Sequence, residues 1–111
     1  MSIEIEGRKI GLNHKPFIIA EMSGNHNNDL HRELSLVDAA AEAGVDALKT
    51  QTASPDGLTL NLCSDDFVIN DKNSLLDGRF LYNLYQEAVT PLDWHKQIFD
   101  RCKHHGMIGF G

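Results

Sequence analysis

The sequence predicts an α/β fold built on a parallel sheet, and three observations carry that prediction. Phe17-Ile18-Ile19-Ala20 and Val45 to Leu48 are short, apolar and unalternated, the composition of strands buried on both faces. Between them Leu30, Leu34, Val37 and Ala41 recur at helical spacing until Gly44 stops the pattern. A second helical segment leads to Met107-Ile108, which opens another strand, so strand and helix alternate as in right-handed parallel crossovers.

Ahead of this unit, Ile3 to Leu12 alternate apolar and charged positions around Gly7, the pattern of a short hairpin with one covered face. Pro16 resets the chain before the first parallel strand, and Glu21 ends that strand. The connection from Thr52 to about Asn73 is long and polar, which marks a functional loop more than a linker. Leu75 to Ala88 has helical character. Thr90-Pro91-Leu92-Asp93 then combines an N-cap hydroxyl, a proline at the first helical position and a carboxylate three residues after the cap. Leu92, His95, Phe99 and Cys102 form the apolar stripe of that helix, and Gly106 is its C-cap. The expected order is hairpin, strand, helix, strand, helix, strand, which begins either a doubly wound sheet or a (β/α)₈ barrel.

With 111 residues, 41% hydrophobic and 23% charged, the chain suffices for one domain with a modest core and is unlike a disordered polymer. A formal net charge of -6 argues against a nucleic-acid or anionic-membrane surface and confines any anion site to a local basic pocket. Cys63 and Cys102 stand far apart without a CxxC pair, which reads as reduced thiols and neither a disulfide framework nor a zinc site. Glu4, Glu6, Arg8 and Lys9 deny the N-terminus a signal-peptide apolar region, and no apolar run spans a bilayer, so the expected location is cytoplasmic.

Glu21 follows the first parallel strand and Lys49 with Gln51 follows the second, so all three should converge at the mouth formed by the strand C-termini. A lysine there needs an anion, supplied either by a phosphate or carboxylate substrate or by Glu21 in an internal salt bridge. Ser23 to Asn28 precedes a helix N-terminus and is rich in turn-tolerant polar side chains, which suit anions or sugar hydroxyls and equally suit plain turn and cap chemistry. The loop has neither GxGxxG nor GxxxxGK[ST] spacing, which argues against a nucleotide. His26 either contacts substrate or fixes the loop. His14, His31, His95, His104 and His105 have no metal-motif spacing and read as surface or packing residues, as Trp94, Tyr82 and Tyr85 read as packing.

FIIAEMSGNHNND followed by AAAEAGVDALKTQT resembles the opening strand-helix-strand signature of sialic-acid-type synthases, and the likeness covers nearly the whole chain. SPDGLTLN, DDFVI and GRFLYNLYQEAVTPLDWHKQIFD are more similar to the pseudaminate-forming branch than to the N-acetylneuraminate or legionaminate branches. The resemblance implies that residues 1–111 are the N-terminal portion of a TIM (β/α)₈ barrel, incomplete in this chain, with the C-terminal barrel half and an antifreeze-like domain outside it.

It further implies condensation of phosphoenolpyruvate with an N-acetylated amino sugar, here 2,4-diacetamido-2,4,6-trideoxy-altropyranose in open form, with phosphate release. A divalent metal, Mn²⁺ or Mg²⁺, would polarise the aldehyde from ligands that lie in later strands, and the complete protein would be a homodimer. By motif position Lys49 contacts phosphoenolpyruvate, Glu21 and Gln51 lie at the sugar and reacting centre, and Asn25 and His26 shape the first loop as substrate-binding residues. Two departures stand out: Asn28 occupies a position where the family loop often has glycine, and Phe110-Gly111 replaces a phenylalanine-serine pattern. Without the metal ligands and the remaining strands, the chain alone should be inactive and should self-associate through its uncovered sheet edges. A different class of function, a non-catalytic binding or assembly module completed by another chain, is the competing expectation.

Overall fold

Asp46 sits where the hairpin, the sheet and the helical layer meet, in a computed structural model that describes all 111 residues. The hairpin consists of β1 (Ser2–Ile5) and β2 (Arg8–Gly11), antiparallel, with Ile5 opposite Arg8. Its two-residue turn, Glu6 and Gly7, has both φ angles positive at 44° and 78°, the mirror-image turn whose twist matches the strands. The sheet proper contains β3 (Ile19–Met22), β4 (Ala47–Thr50) and β5 (Ile108–Phe110), all parallel, in the order β3-β4-β5. It is an α/β arrangement with an open sheet that does not close into a barrel. At 17.0 Å the radius of gyration exceeds the roughly 13 Å of a compact domain of about this length, because the hairpin and the long connection extend from the sheet.

The strands start later than the apolar runs suggested, and they include Glu21 and Lys49, which lie opposite each other in register. The cause is one-sided coverage. Met22 on β3 and Leu48 on β4 are buried with Val37, Ile98, Cys102 and Met107 in the core between sheet and helices. The opposite face carries Ile19, Glu21 and Lys49 exposed, so a charged residue inside a strand costs little there. The expectation of strands buried on both faces holds at Ala47 and Leu48 of β4 and is corrected for the first run, where Ile18 and Ile19 stay exposed; the covered face of the hairpin is corrected too, since Ile3 and Ile5 stay exposed.

Helix α1 (Leu30–Glu42) packs over this sheet beside α4 (His95–His104). The Asp29 carboxylate caps α1 by accepting from the backbone N–H groups of His31 and Arg32. Asn27 and Asn28 both have positive φ, 51° and 53°, which explains how asparagine serves at position 28 in place of glycine. Asp38 braces the two helices: it accepts from Arg101 Nε and Nη2, each at 2.7 Å, and from His105 Nε2 at 2.7 Å. Those hydrogen bonds from Arg101 and His105 hold its carboxyl well below the usual range.

The connection after β4 is structured rather than a bare loop. It forms α2 (Pro55–Leu58), a 3₁₀ turn at Asp65–Phe67, an isolated bridge between Val68 and Phe80, and α3 (Leu81–Ala88), which starts well after Leu75. The cap expected at Thr90 does not form. The Thr90 N–H donates to Gln51 O at 3.2 Å, and its buried hydroxyl has no partner. A 3₁₀ turn at Leu92–Trp94 leads into α4 instead, leaving Leu92 75% exposed, while Ile98 and Cys102 carry the buried stripe. Gly106, with φ of 69°, ends the helix as expected.

Two predictions follow from this packing. The Glu33 carboxylate on α1 is fully buried with both oxygens unpartnered, and burial pushes its pKa up to about 7. A raised folded-state pKa means that the cost is absent below the unfolded value near 4.5 and grows as pH rises to 7. Urea unfolding should show the wild-type chain losing up to roughly 3 kcal/mol relative to Glu33→Gln between pH 4.5 and 7.5; a pH-independent difference would contradict the buried-carboxyl account. At Gly109 an added Cβ would lie 2.8 Å from Phe99 Cδ1 and 3.1 Å from Cys102 Sγ. Gly109→Ala should therefore cost about 1–3 kcal/mol in the same assay, by forcing β5 away from α4, and an unchanged midpoint would show that the layer yields.

Candidate functional site

The C-terminal ends of β3 and β4 create a pocket of about 140 Å³ lined by Glu21, Met22, Ser23, Lys49, Thr50 and Gln51. Parallel pairing puts Glu21 beside Lys49, and the Lys49 ammonium donates to Glu21 Oε1 at 3.0 Å. The internal salt bridge foreseen from the sequence is thus formed. Its side chains are 49% and 67% exposed, so the pair contributes about 0–1 kcal/mol. Because the pair is this weak, exchanging Glu21 for a phosphate or carboxylate at the Lys49 ammonium loses at most about 1 kcal/mol.

Gln51 follows β4 and joins the same pocket. Its Oε1 accepts from the Ser23 hydroxyl at 2.6 Å, which leaves the amide NH₂ as the free donor end. Ser23 was read only as part of the turn-rich loop, and its role in orienting Gln51 depends on a cross-strand approach that spacing does not reveal. The cluster therefore presents an ammonium, an amide donor and a carboxylate around a small polar cavity.

The first loop divides its predicted residues. Asn25 is exposed and its backbone carbonyl accepts from Arg32 Nε at 2.7 Å, outside the small pocket. His26 is fully buried. Its Nδ1 accepts from the Asn28 N–H at 2.9 Å, so Nε2 carries the proton and donates to Ala88 O at 3.1 Å. Both nitrogens are engaged within the chain, and the ring packs edge-on against Trp94 at 5.4 Å. Within this chain His26 fixes the loop to α3, the second of the two readings of that residue. Gly24 makes the same approach possible, since a Cβ there would sit 2.9 Å from Ala88 Cβ.

His95 was expected only to pack. It does lie edge-on against Phe99 at 5.5 Å, and it also bonds Thr52 Oγ1 through Nε2 at 2.6 Å and Pro91 O through Nδ1 at 3.1 Å. Thr52 Oγ1 in turn bonds Thr50 Oγ1 at 3.1 Å. No group of three or more His, Cys, Asp or Glu side chains is arranged to hold a metal ion, so the donors of this chain do not by themselves fit the metal implied by the resemblance. No helix is long and apolar enough to cross a membrane.

Comparisons with known proteins bear on the family of the chain. The chain is 49% identical over 96 residues to pseudaminic acid synthase of Campylobacter jejuni, covering 86% of this chain and 27% of that protein. It is 45% identical over 88 residues to pseudaminic acid synthase of Helicobacter pylori, covering 79% of this chain and 25% of that protein. The chain thus spans about a quarter of the length of these relatives. Among solved structures, the N-acetylneuraminic acid synthetase of Leptospira borgpetersenii superposes with a TM-score of 0.73 over 99% of this chain and 33% of that one, at 24% identity. The spore coat polysaccharide biosynthesis protein SpsE of Bacillus subtilis superposes with a TM-score of 0.60 over 98% and 26%, at 28% identity. Residues 36–111 match the model of the NeuB family, so the chain belongs to the NeuB family.

Proposed function

We propose that this chain supplies part of the active site of a nonulosonic acid synthase that condenses phosphoenolpyruvate with 2,4-diacetamido-2,4,6-trideoxy-altropyranose, yielding pseudaminic acid and phosphate. The observation that carries the proposal is the Glu21–Lys49 pair with Gln51 at one mouth, on a chain 49% identical to a pseudaminic acid synthase. Lys49 binds the anion of phosphoenolpyruvate, the Gln51 amide donates a hydrogen bond, and Glu21 turns to the sugar and reacting centre. Asn25, in the exposed loop after β3, is assigned a sugar contact by the resemblance alone.

On this reading β3, β4 and β5 are the first three strands of a (β/α)₈ barrel, which the parallel order and the likeness to the solved structures support. The complete protein is then a cytoplasmic homodimer using Mn²⁺ or Mg²⁺. A divalent metal supplies Lewis-acid polarisation of the aldehyde when bound, and no step is assigned to it among the residues present. Legionaminate formation is the second reading, favoured by 55% identity over 42 residues to N,N'-diacetyllegionaminic acid synthase of Legionella pneumophila.

Titrating the chain with phosphoenolpyruvate while observing the Lys49 ammonium by NMR tests the anion role. Lys49→Met should weaken binding roughly tenfold or more, since it removes a charge-assisted donor and little apolar volume; equal affinity in the two proteins would remove Lys49 from the site. The chain alone, given both substrates and Mn²⁺, should release no phosphate, because a barrel active site draws on more strands than the three present. Robust turnover by the monomer would overturn that division of the site.

A further inference from the structure

We infer that Ser23 is a positioning residue of this mouth: its hydroxyl holds the Gln51 amide by the oxygen end and leaves the NH₂ end to donate to an acceptor oxygen of a bound substrate. The role rests on the substrate reading above and adds to it a residue that neither spacing nor resemblance assigns. Glu21 and Lys49 lie opposite each other in register, and Ser23 and Gln51 each stand two residues further on, so strand alternation returns them to the same face. All four line one pocket. The mouth thus has two tiers, an ion pair below and a hydroxyl–amide pair above.

The length of the upper bond sets its polarity. Ser23 Oγ lies 2.6 Å from Gln51 Oε1. Bonds of the O–H···O type centre on about 2.7–2.8 Å and those of the N–H···O type on about 2.9–3.0 Å, so the separation fits a hydroxyl donating to the amide oxygen. The single hydroxyl proton is used there, and Gln51 Nε2 keeps two N–H donors for a ligand. The end of α3 and the residues after it hold both partners in place. The Thr90 N–H donates to Gln51 O at 3.2 Å, and a Cβ on Gly24, next to Ser23, would sit 2.9 Å from Ala88 Cβ. The Lys49 ammonium and the Gln51 amide then form a row of two donors whose backbones are about 7 Å apart along the strand direction. Such a row suits a ligand oxygen at Gln51 beside an anion at Lys49. Either phosphoenolpyruvate itself or a hydroxyl or acetamido carbonyl of the sugar can supply that oxygen.

NMR of the full chain tests the arrangement, first without ligand. The Gln51 NH₂ protons should show no strong nuclear Overhauser effect to the Ser23 Hβ protons; a strong one places the nitrogen end on Ser23 and overturns the inference. Phosphoenolpyruvate and the diacetamido sugar are then titrated separately, and the one that shifts the Gln51 NH₂ resonances is the source of the oxygen. Ser23→Ala should weaken that ligand roughly fivefold, as expected for one neutral hydrogen bond, and Ser23→Thr, which keeps the hydroxyl, should restore it. Equal affinity in wild type and Ser23→Ala would overturn the role. In a Gln51→Ala background, Ser23→Ala should have no further effect; a second, additive loss would show that Ser23 acts on the ligand itself and not through Gln51. If a ligand shifts the Lys49 side-chain resonances but neither ligand shifts the Gln51 NH₂, the positioning role alone fails. If neither ligand shifts either residue, the substrate reading fails and takes this role with it.

Discussion

The Asp46 clamp governs the geometry of everything above it. The Asp46 carboxylate accepts from the Ile18 N–H at 2.8 Å and from Arg8 Nη1 at 3.2 Å, and its carbonyl accepts from Arg8 Nη1 and from the Ile108 N–H. Arg8 Nη2 also reaches Gly106 O at 2.6 Å. One residue therefore fixes where β3, β4 and β5 begin, and Arg8 fastens the hairpin ahead of β4 and β5. In a parallel pair a slip of one residue would turn Glu21 or Lys49 to the opposite face. The bottom of the sheet, through this clamp, is what holds the two charged groups opposite each other at the top.

Above the clamp, the sheet separates stability from chemistry by face. Met22 and Leu48 point into the helical layer with Val37, Ile98 and Cys102, and Met22 is the core residue that also borders the mouth. Ile5, Phe17, Ile19, Ala47, Ile108 and Phe110 line a wholly apolar recess of about 300 Å³ on the other side, nearer the clamp. The charged pair stands on the same face, at the strand ends. A polar mouth above an apolar interior is the general plan of sheets whose ligands bind at the strand C-termini.

The convergence of Glu21, Lys49 and Gln51 was legible because three local signals, two apolar runs and the helix between them, dictate a parallel crossover, and a parallel crossover brings like strand ends together. Strand limits were less legible. An apolar run reveals burial, and these strands continue past the run where one face meets the open mouth. The Thr90 cap misled because its signature is local, whereas the long-range bond to Gln51 O draws the backbone away from cap geometry. Leu92 drops out of the expected stripe, since the helix starts later, while Phe99 and Cys102 keep to it. Nothing local announces the bond between Thr52 and His95, which lie 43 positions apart; only the fold brings the histidine to the hydroxyl. Roles of the mouth residues in catalysis, as distinct from their placement, came from the resemblance.

Asp38 imposes a constraint of another kind. It serves Arg101 in the last turn of α4 and His105 at the C-cap of that helix with a single carboxylate on α1. A change at any one of these positions removes the brace between the helices and leaves its partners to water, since all three side chains are partly exposed. Neutral drift is thus restricted to concerted changes, and among descendants of this chain positions 38, 101 and 105 should co-vary as a triplet, a record of helix packing written in substitutions far from the mouth.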